Sequence, residues 1–151
     1  MRFRMDDYFG PVVDAAPAGQ DVLAAWICTD IGRKFRVLLD ALAMIDDVRS
    51  GGQPFEQWDS EGWDVEFDPS GVTIQAVYGN RQRAEYDVET VRSALEDFWQ
   101  FMVETPERAN APRTYRPDLP EWQEGLLQWE ASWQIRHPYR GRLGIPEQGP
   151  A

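Results

Sequence analysis

The residues whose types and spacing could do chemistry form an acidic run near the middle of the chain. Residues 56–68 hold six carboxylates and neither lysine nor arginine. Carboxylates in this density suit a calcium ion or a basic macromolecular partner. Because aromatic side chains lie among them, we predict a partner-binding surface made of Glu56, Trp58, Asp59, Glu61, Asp64, Glu66 and Asp68.

Calcium binding is the alternative use of these carboxylates. A calcium ion takes about six to eight converging oxygens, whereas Asp64, Glu66 and Asp68 alternate along a predicted strand, about 6–7 Å apart on one face. The residue pattern of an EF-hand loop is also missing from the sequence. We therefore expect no metal, and keep a calcium-responsive regulatory protein as the alternative.

Catalytic chemistry finds little support in the rest of the sequence. The chain has one histidine, His137, and one cysteine, Cys28, far apart in sequence. No serine lies in a nucleophile-elbow pattern, and no glycine-rich stretch has the lysine and following helix of a phosphate-binding loop. We expect no catalytic residues, no cofactor and no enzymatic activity. A composite site shared between subunits is the enzymatic alternative that one sequence leaves open.

The charge of the chain restricts its partners. Among 151 residues, 26 are acidic and 15 are Lys or Arg, which gives a net charge of −11. Such a charge repels nucleic acid and anionic membranes, so we expect a basic protein partner, no direct nucleic acid and no membrane. A lone cysteine and the lack of a long apolar run or leader pattern favour a cytoplasmic location. The oligomeric state is not predicted.

The first third of the chain should contain a hairpin and a helix. Apolar residues on either side of the Ala16-Pro17-Ala18-Gly19 turn predict two strands, the second over residues 22–27. Apolar residues at spacings of three and four then predict a helix over residues 31–48, capped by Asp30 and stopped by the glycines at 51 and 52. One apolar face of this helix must be buried against a sheet.

The remaining elements follow from alternation, turns and prolines. Residues 63–68 alternate strictly, and a turn at 68–71 leads into a return strand over 72–78 and a short strand near 84–86. Asp87 should cap a helix over 88–103, and a third helix should begin near Pro120 after a proline-rich connection. These elements predict an α+β domain over residues 1–135, with an antiparallel sheet of hairpins, two helices on one sheet face and a further C-terminal helix. Residues 136–151, rich in Arg, Pro and Gly, should form a tail that is loosely held or lies along the surface.

The tryptophans allow two interpretations. Trp58 lies in a polar loop, where it either covers the edge of the core or anchors a partner. Trp122, Trp129 and Trp133 share one face of the third helix and are typical of core packing. If that helix does not pack on the domain, the same stripe would dock another subunit, which makes an assembly protein the other alternative.

The arrangement over residues 5–104 resembles small acidic bacterial proteins of the toxin-immunity kind, and also the YacL-like uncharacterised bacterial proteins. The shared pattern runs from a hairpin reaching Trp26 through the helix from Ile31 to Val48 and the hairpin from Trp63 to Tyr78. It ends with the helix from Val88 to Val103. The resemblance implies tight, non-catalytic binding of a cognate toxin. Many such toxins are basic nucleases, and an acidic face can occupy a site meant for phosphates.

Overall fold

A computed structural model describes residues 1–109 and 112–150. In chain order the elements are β1 (Arg2–Asp6), β2 (Gly10–Ala15), α1 (Asp21–Trp26), a π-helix (Ile27–Ile31), α2 (Phe35–Arg49), β3 (Trp58–Asp59), β4 (Trp63–Asp68), β5 (Gly71–Ala76), β6 (Arg83–Tyr86), α3 (Val88–Glu104) and α4 (Glu121–Trp133). The predicted α+β class is confirmed, with antiparallel sheets and a C-terminal helix. No helix in the described ranges is both long and apolar enough to cross a bilayer.

The strands form two separate antiparallel sheets instead of one. β1 and β2 make a two-stranded ribbon, and the other strands form a four-stranded sheet in the order β3-β4-β5-β6. Strict alternation along β4 and β5 turns their apolar side chains to one face. That face packs against the helices and is buried at Val65, Phe67, Val72 and Ile74.

The central helix α2 is buried on almost every side because it contacts α3, α4 and β4. Nine of its fifteen residues are buried, among them Leu38, Leu42 and Ile45. The helix begins at Phe35, four residues later than the predicted Ile31, and Lys34 precedes it without a side-chain cap. The prediction that Asp30 caps this helix is therefore wrong.

Residues 22–27 form a helix where a strand was predicted. Their four large apolar residues lie at positions i, i+1, i+4 and i+5, a spacing that one face of a helix satisfies as well as a short strand does. α1 continues directly into the π-helix, where the Gly32 N–H donates to the Ile27 carbonyl, five residues back, at 3.0 Å. The first hairpin consequently turns at residues 7–9 and not at Pro17.

The described part of the predicted tail is folded into the core. His137, Tyr139 and Ile145 are buried, and Arg140 is nearly so. The carbonyl of Leu39 in α2 lies 2.9 Å from His137 Nε2, and Glu130 of α4 binds Arg140. The expectation of a loosely held segment is thus wrong for these residues, because Arg140 and Arg142 have carboxylate partners elsewhere in the chain.

Candidate protein-binding surface

The predicted acidic residues concentrate on the outer face of the four-stranded sheet. Asp59 of β3 lies directly opposite Asp64 of β4, and Glu66 lies two residues further along the same face. Their inward neighbours Val65 and Phe67 are buried, so alternation places the carboxylates outward. Asp59, Asp64 and Glu66 are exposed, and so are Glu56 before β3 and Glu61 in the turn after it.

The carboxylates at positions 56–68 form no ion pair in the part of the chain that the structure describes. Within the described ranges, none of the six acidic residues at positions 56–68 lies within ion-pair distance of a Lys, Arg or His side chain. Asp68 differs from the others because its Oδ1 accepts from the Ser70 N–H at 2.9 Å and from Ser70 Oγ at 2.7 Å. These bonds lower the pKa of Asp68. Its carboxylate therefore stabilises the turn between β4 and β5.

A groove of about 610 Å³ gathers most of the predicted residues. It runs between the loop at residues 53–57 and β4, and its lining includes the buried Met44, Val65 and Phe67 as well as outer-face side chains of β4 and β5. Every predicted residue except Glu61 lines it, and Thr73 and Gln75 complete its floor. Glu61 stands outside, in the β3–β4 turn. From here on, the acidic face denotes Glu56, Asp59, Asp64, Glu66 and Asp68.

Acidic side chains act on one another at one end of this groove. Partial burial, and then the charges of Asp40 and Asp59, raise the pKa of Glu56. A neighbouring cation would lower it instead. A positively charged group entering the groove there would relieve this repulsion.

Trp58 packs at the edge of the core, which is the first of the two interpretations given for it above. Its ring lies edge-on to Trp26 with centroids 5.2 Å apart and also contacts Phe67. Its Nε1 donates to Asp30 Oδ2 at 2.7 Å. The indole is half-buried. Trp58 is therefore a fixed wall of the groove and not the projecting anchor that was predicted.

The π-helix holds the β3–β4 edge in place, a role that sequence reasoning missed. Asp30 accepts from the Trp58 indole, and Thr29 Oγ1 accepts from Trp63 Nε1 at 3.0 Å. Thr29 itself donates to the Ala25 carbonyl. The available signal was the polar pair Thr29 and Asp30, which interrupts an apolar stretch and of which only Asp30 was given a predicted role, that of a helix cap.

The other residues examined for chemistry lie apart from this face. Burial raises the pKa of the Cys28 thiol to about 11, so it is not a thiolate near neutral pH. His137 Nδ1 accepts from the Tyr139 N–H, and its Nε2 faces the Leu39 carbonyl, so both ring nitrogens are occupied. In residues 1–109 and 112–150, no three or more His, Cys, Asp or Glu side chains are grouped closely enough to hold a metal ion. The calcium alternative stays a prediction.

The tryptophans of α4 pack mainly inside the molecule. Trp129 is buried and donates to Asp40 Oδ1 at 2.7 Å, while Trp122 lies edge-on to Trp99 of α3. Trp133 stays 39 % exposed. The helix is thus docked on the domain, and only its last tryptophan faces outward.

No protein-family model matches the chain, and no curated protein or solved structure matches it either. The resemblance to immunity-type and YacL-like proteins therefore remains a prediction.

Proposed function

We propose that the protein is a non-enzymatic binding protein whose acidic face engages a basic protein partner, in the manner of an immunity-type inhibitor. The observation that carries the proposal is the set of exposed carboxylates on an uncovered sheet face, none of which forms an ion pair within the described ranges. Asp59, Asp64 and Glu66 are held on paired strands, so little conformational entropy is lost when a partner orders them.

Physical chemistry favours a macromolecular partner over a single ion. The carboxylates spread along strands at about 6–7 Å intervals, which matches a row of arginine or lysine side chains better than the converging oxygens of a metal cage. Complementary charge mainly accelerates encounter and fixes orientation. A basic nuclease toxin would present such a row where it binds phosphates.

Charge reversal of Asp64 and Glu66 tests this placement. The partner is first captured from a lysate of the source organism on the wild-type protein and identified, and its association rate is then measured with the D64K/E66K variant. We expect association at least about tenfold slower, because a steering field is reversed in sign. The rate with wild-type protein should also fall as salt rises, since the Debye length is about 8 Å at physiological ionic strength.

A control variant with the same change in net charge shows whether the acidic face or the overall charge of the protein sets the association rate. Glu104 and Glu147 are exposed, lie away from the groove and form no ion pair within the described ranges. The E104K/E147K variant should associate nearly as fast as wild type. Equal slowing in both double variants, or in neither, would refute the placement of the interface on the acidic face. If the captured partner is a toxin, its activity should fall when wild-type protein is added and recover with D64K/E66K.

A further inference from the structure

Strand β6 forms one edge of the four-stranded sheet. The Ala76 N–H donates to Gln82 O at 2.8 Å, and hydrogen-bonded pairs recur at every second residue of an antiparallel ladder, so the even-numbered residues of β6 bond β5. The backbone N–H and C=O groups of Arg83 and Glu85 therefore point away from the sheet. Among the described residues, none of these four groups has a hydrogen-bond partner. Such an edge is a template for a further strand.

The helices cover this edge incompletely. Ala84 and Tyr86 lie opposite Ile74 and Val72 of β5, so all four side chains share the inner face of the sheet. Ile74 and Val72 are buried, whereas Ala84 and Tyr86 are only half-buried. A strand added beside β6 would therefore cover apolar surface as well as pair the outward backbone groups.

The outer face of β6 carries two opposite charges. The side chains of Arg83 and Glu85 are 53 % and 66 % exposed, and Arg83 Nη2 donates to Glu85 Oε1 at 2.9 Å. No other hydrogen bond engages either side chain within residues 1–109 and 112–150, so both groups keep further donors and acceptors. An exposed pair of this kind contributes little to stability, and exchanging its partner costs little.

We propose that β6 pairs with β6 of a second copy about a two-fold axis that passes through Ala84. Antiparallel pairing reverses the strand order, so Arg83 of each copy faces Glu85 of the other. These are the residues whose backbone groups point outward, and the two facing pairs can form four backbone hydrogen bonds. Opposite charges facing each other across the strands stabilise the pairing.

The same charges select this register. Pairing centred on Arg83 or on Glu85 would also direct backbone groups correctly, but it would place one of these residues opposite its own copy. Like charges facing each other across two strands are destabilising. The Arg-Ala-Glu order of β6 is thus complementary to itself only when Ala84 lies on the axis.

This pairing would join two four-stranded sheets into a continuous sheet of eight strands. Because the two-fold axis is perpendicular to the sheet, both acidic faces would lie on the same side, with the two β4 strands about 24 Å apart. The contact uses neither acidic face and needs no other protein, so this inference does not rest on the proposed inhibitor function. A net charge of −11 on each copy opposes the contact, and we expect a weak dimer.

Reciprocal charge variants test the pairing. In a dimer of R83E, Glu faces Glu at both pairs, and in a dimer of E85R, Arg faces Arg. We expect wild type to dimerise between about 10 µM and 1 mM in sedimentation velocity at about 0.15 M salt, and each variant alone at least about tenfold more weakly. An equimolar mixture of R83E and E85R should form a one-to-one complex, because opposite charges face each other again at both pairs.

R116E and D118R form the matched control. Arg116 and Asp118 are also an exposed ion pair two residues apart, and these substitutions change the net charge by the same amounts. Each control variant should associate nearly as wild type does, and mixing the two should favour no mixed dimer. The same behaviour in both sets of variants would refute the proposal, since net charge would then explain it.

Amide hydrogen exchange locates the contact within the dimer. The N–H groups of Arg83 and Glu85 would donate across the axis, so their exchange should slow at least about twofold between 10 µM and 1 mM wild-type protein, while that of Glu61 in the β3–β4 turn stays constant. A wild type that is monomeric throughout this range, a mixture of R83E and E85R that forms no complex, or a dimer in which both amides exchange as fast as in the monomer overturns the proposal.

Discussion

On the outer face of β4, Asp64 and Glu66 are exposed and form no ion pair with any residue in the ranges 1–109 and 112–150, whereas Glu130 and Asp46 each bind an arginine of the C-terminal segment, residues 136–150. Arg140 contacts Glu130 through two nitrogens, at 2.6 Å and 3.0 Å, and Arg142 contacts Asp46 at 2.8 Å. Near the same segment, Glu96 accepts from the Tyr139 hydroxyl at 2.8 Å. The same chemical groups thus hold the fold together in one region and remain unneutralised in the other. Net charge alone does not reveal this division.

The largest expected effect comes from breaking the Arg140–Glu130 pair. The Arg140 side chain is 5 % exposed and that of Glu130 is 17 % exposed. Arg140→Ala leaves a largely buried carboxylate without its partner, and we expect the free energy of unfolding to fall by about 3–5 kcal/mol. Urea denaturation followed by tryptophan fluorescence measures it.

An exposed pair provides the control for this substitution. Arg116 and Asp118 lie 3.0 Å apart with side chains 43 % and 62 % exposed. Arg116→Ala should change stability by less than about 1 kcal/mol, since water screens the pair. Similar losses from both substitutions would show that the C-terminal segment is not held by buried charge.

The next effect concerns the pH dependence of stability. Burial lowers the pKa of His137 to about 4, although Glu130 and Asp46 favour its charged form and Arg142 opposes it. The unfolded chain binds this proton near pH 6.5. The contribution of His137 is therefore complete above about pH 6.5 and is lost as the pH falls towards 4, by up to about 3 kcal/mol.

Comparison with His137→Gln isolates this proton. Glutamine does not titrate, so the stability advantage of wild type over the variant should shrink steadily from pH 7 to pH 4 in denaturation series at fixed salt. The other charged groups around the ring are the same in both proteins. A difference that stays constant with pH would mean that the pKa of His137 in the fold is not lowered from its value in the unfolded chain.

The smallest effect is expected on the acidic face. D64K/E66K should shift the free energy of unfolding by no more than about 0.5 kcal/mol, because both side chains are exposed and neither forms a hydrogen bond or ion pair among the described residues. The shift should be stabilising, since Asp64 lies opposite Asp59. A loss comparable to that of Arg140→Ala would mean that these carboxylates serve the fold after all.

Sequence patterns correctly predicted the elements that depend on interactions between residues close together in the chain. The alternation over residues 63–68, the turn at 68–71 and the cap at Asp87 are all present, and Asp87 Oδ1 accepts from the Thr90 N–H at 2.7 Å. Each depends on spacing within a few residues, which a sequence displays directly. The placement of the exposed carboxylates follows from the same alternation.

The features that these patterns missed depend on contacts between residues far apart in the sequence. Arg142 and Asp46 are 96 positions apart, so no local signal announces that the C-terminal segment packs against α2. The role of Trp58 likewise depends on Asp30, 28 residues before it. The strand predicted over residues 22–27 failed for another reason, since a short apolar run fits helix and strand equally and burial among other elements decides between them.

Because the π-helix holds the β3–β4 edge, the position of that edge depends on the number of residues between Trp26 and Phe35. Each residue turns an α-helix by about 100°, and the five-residue hydrogen bond between Gly32 and Ile27 accommodates one residue more than an α-turn does. Removing a single residue there would restore α-helical phase and rotate Thr29 and Asp30 away from the indoles that they bind. Evolution can therefore exchange side chains around this turn more freely than it can alter the count between Trp26 and Phe35.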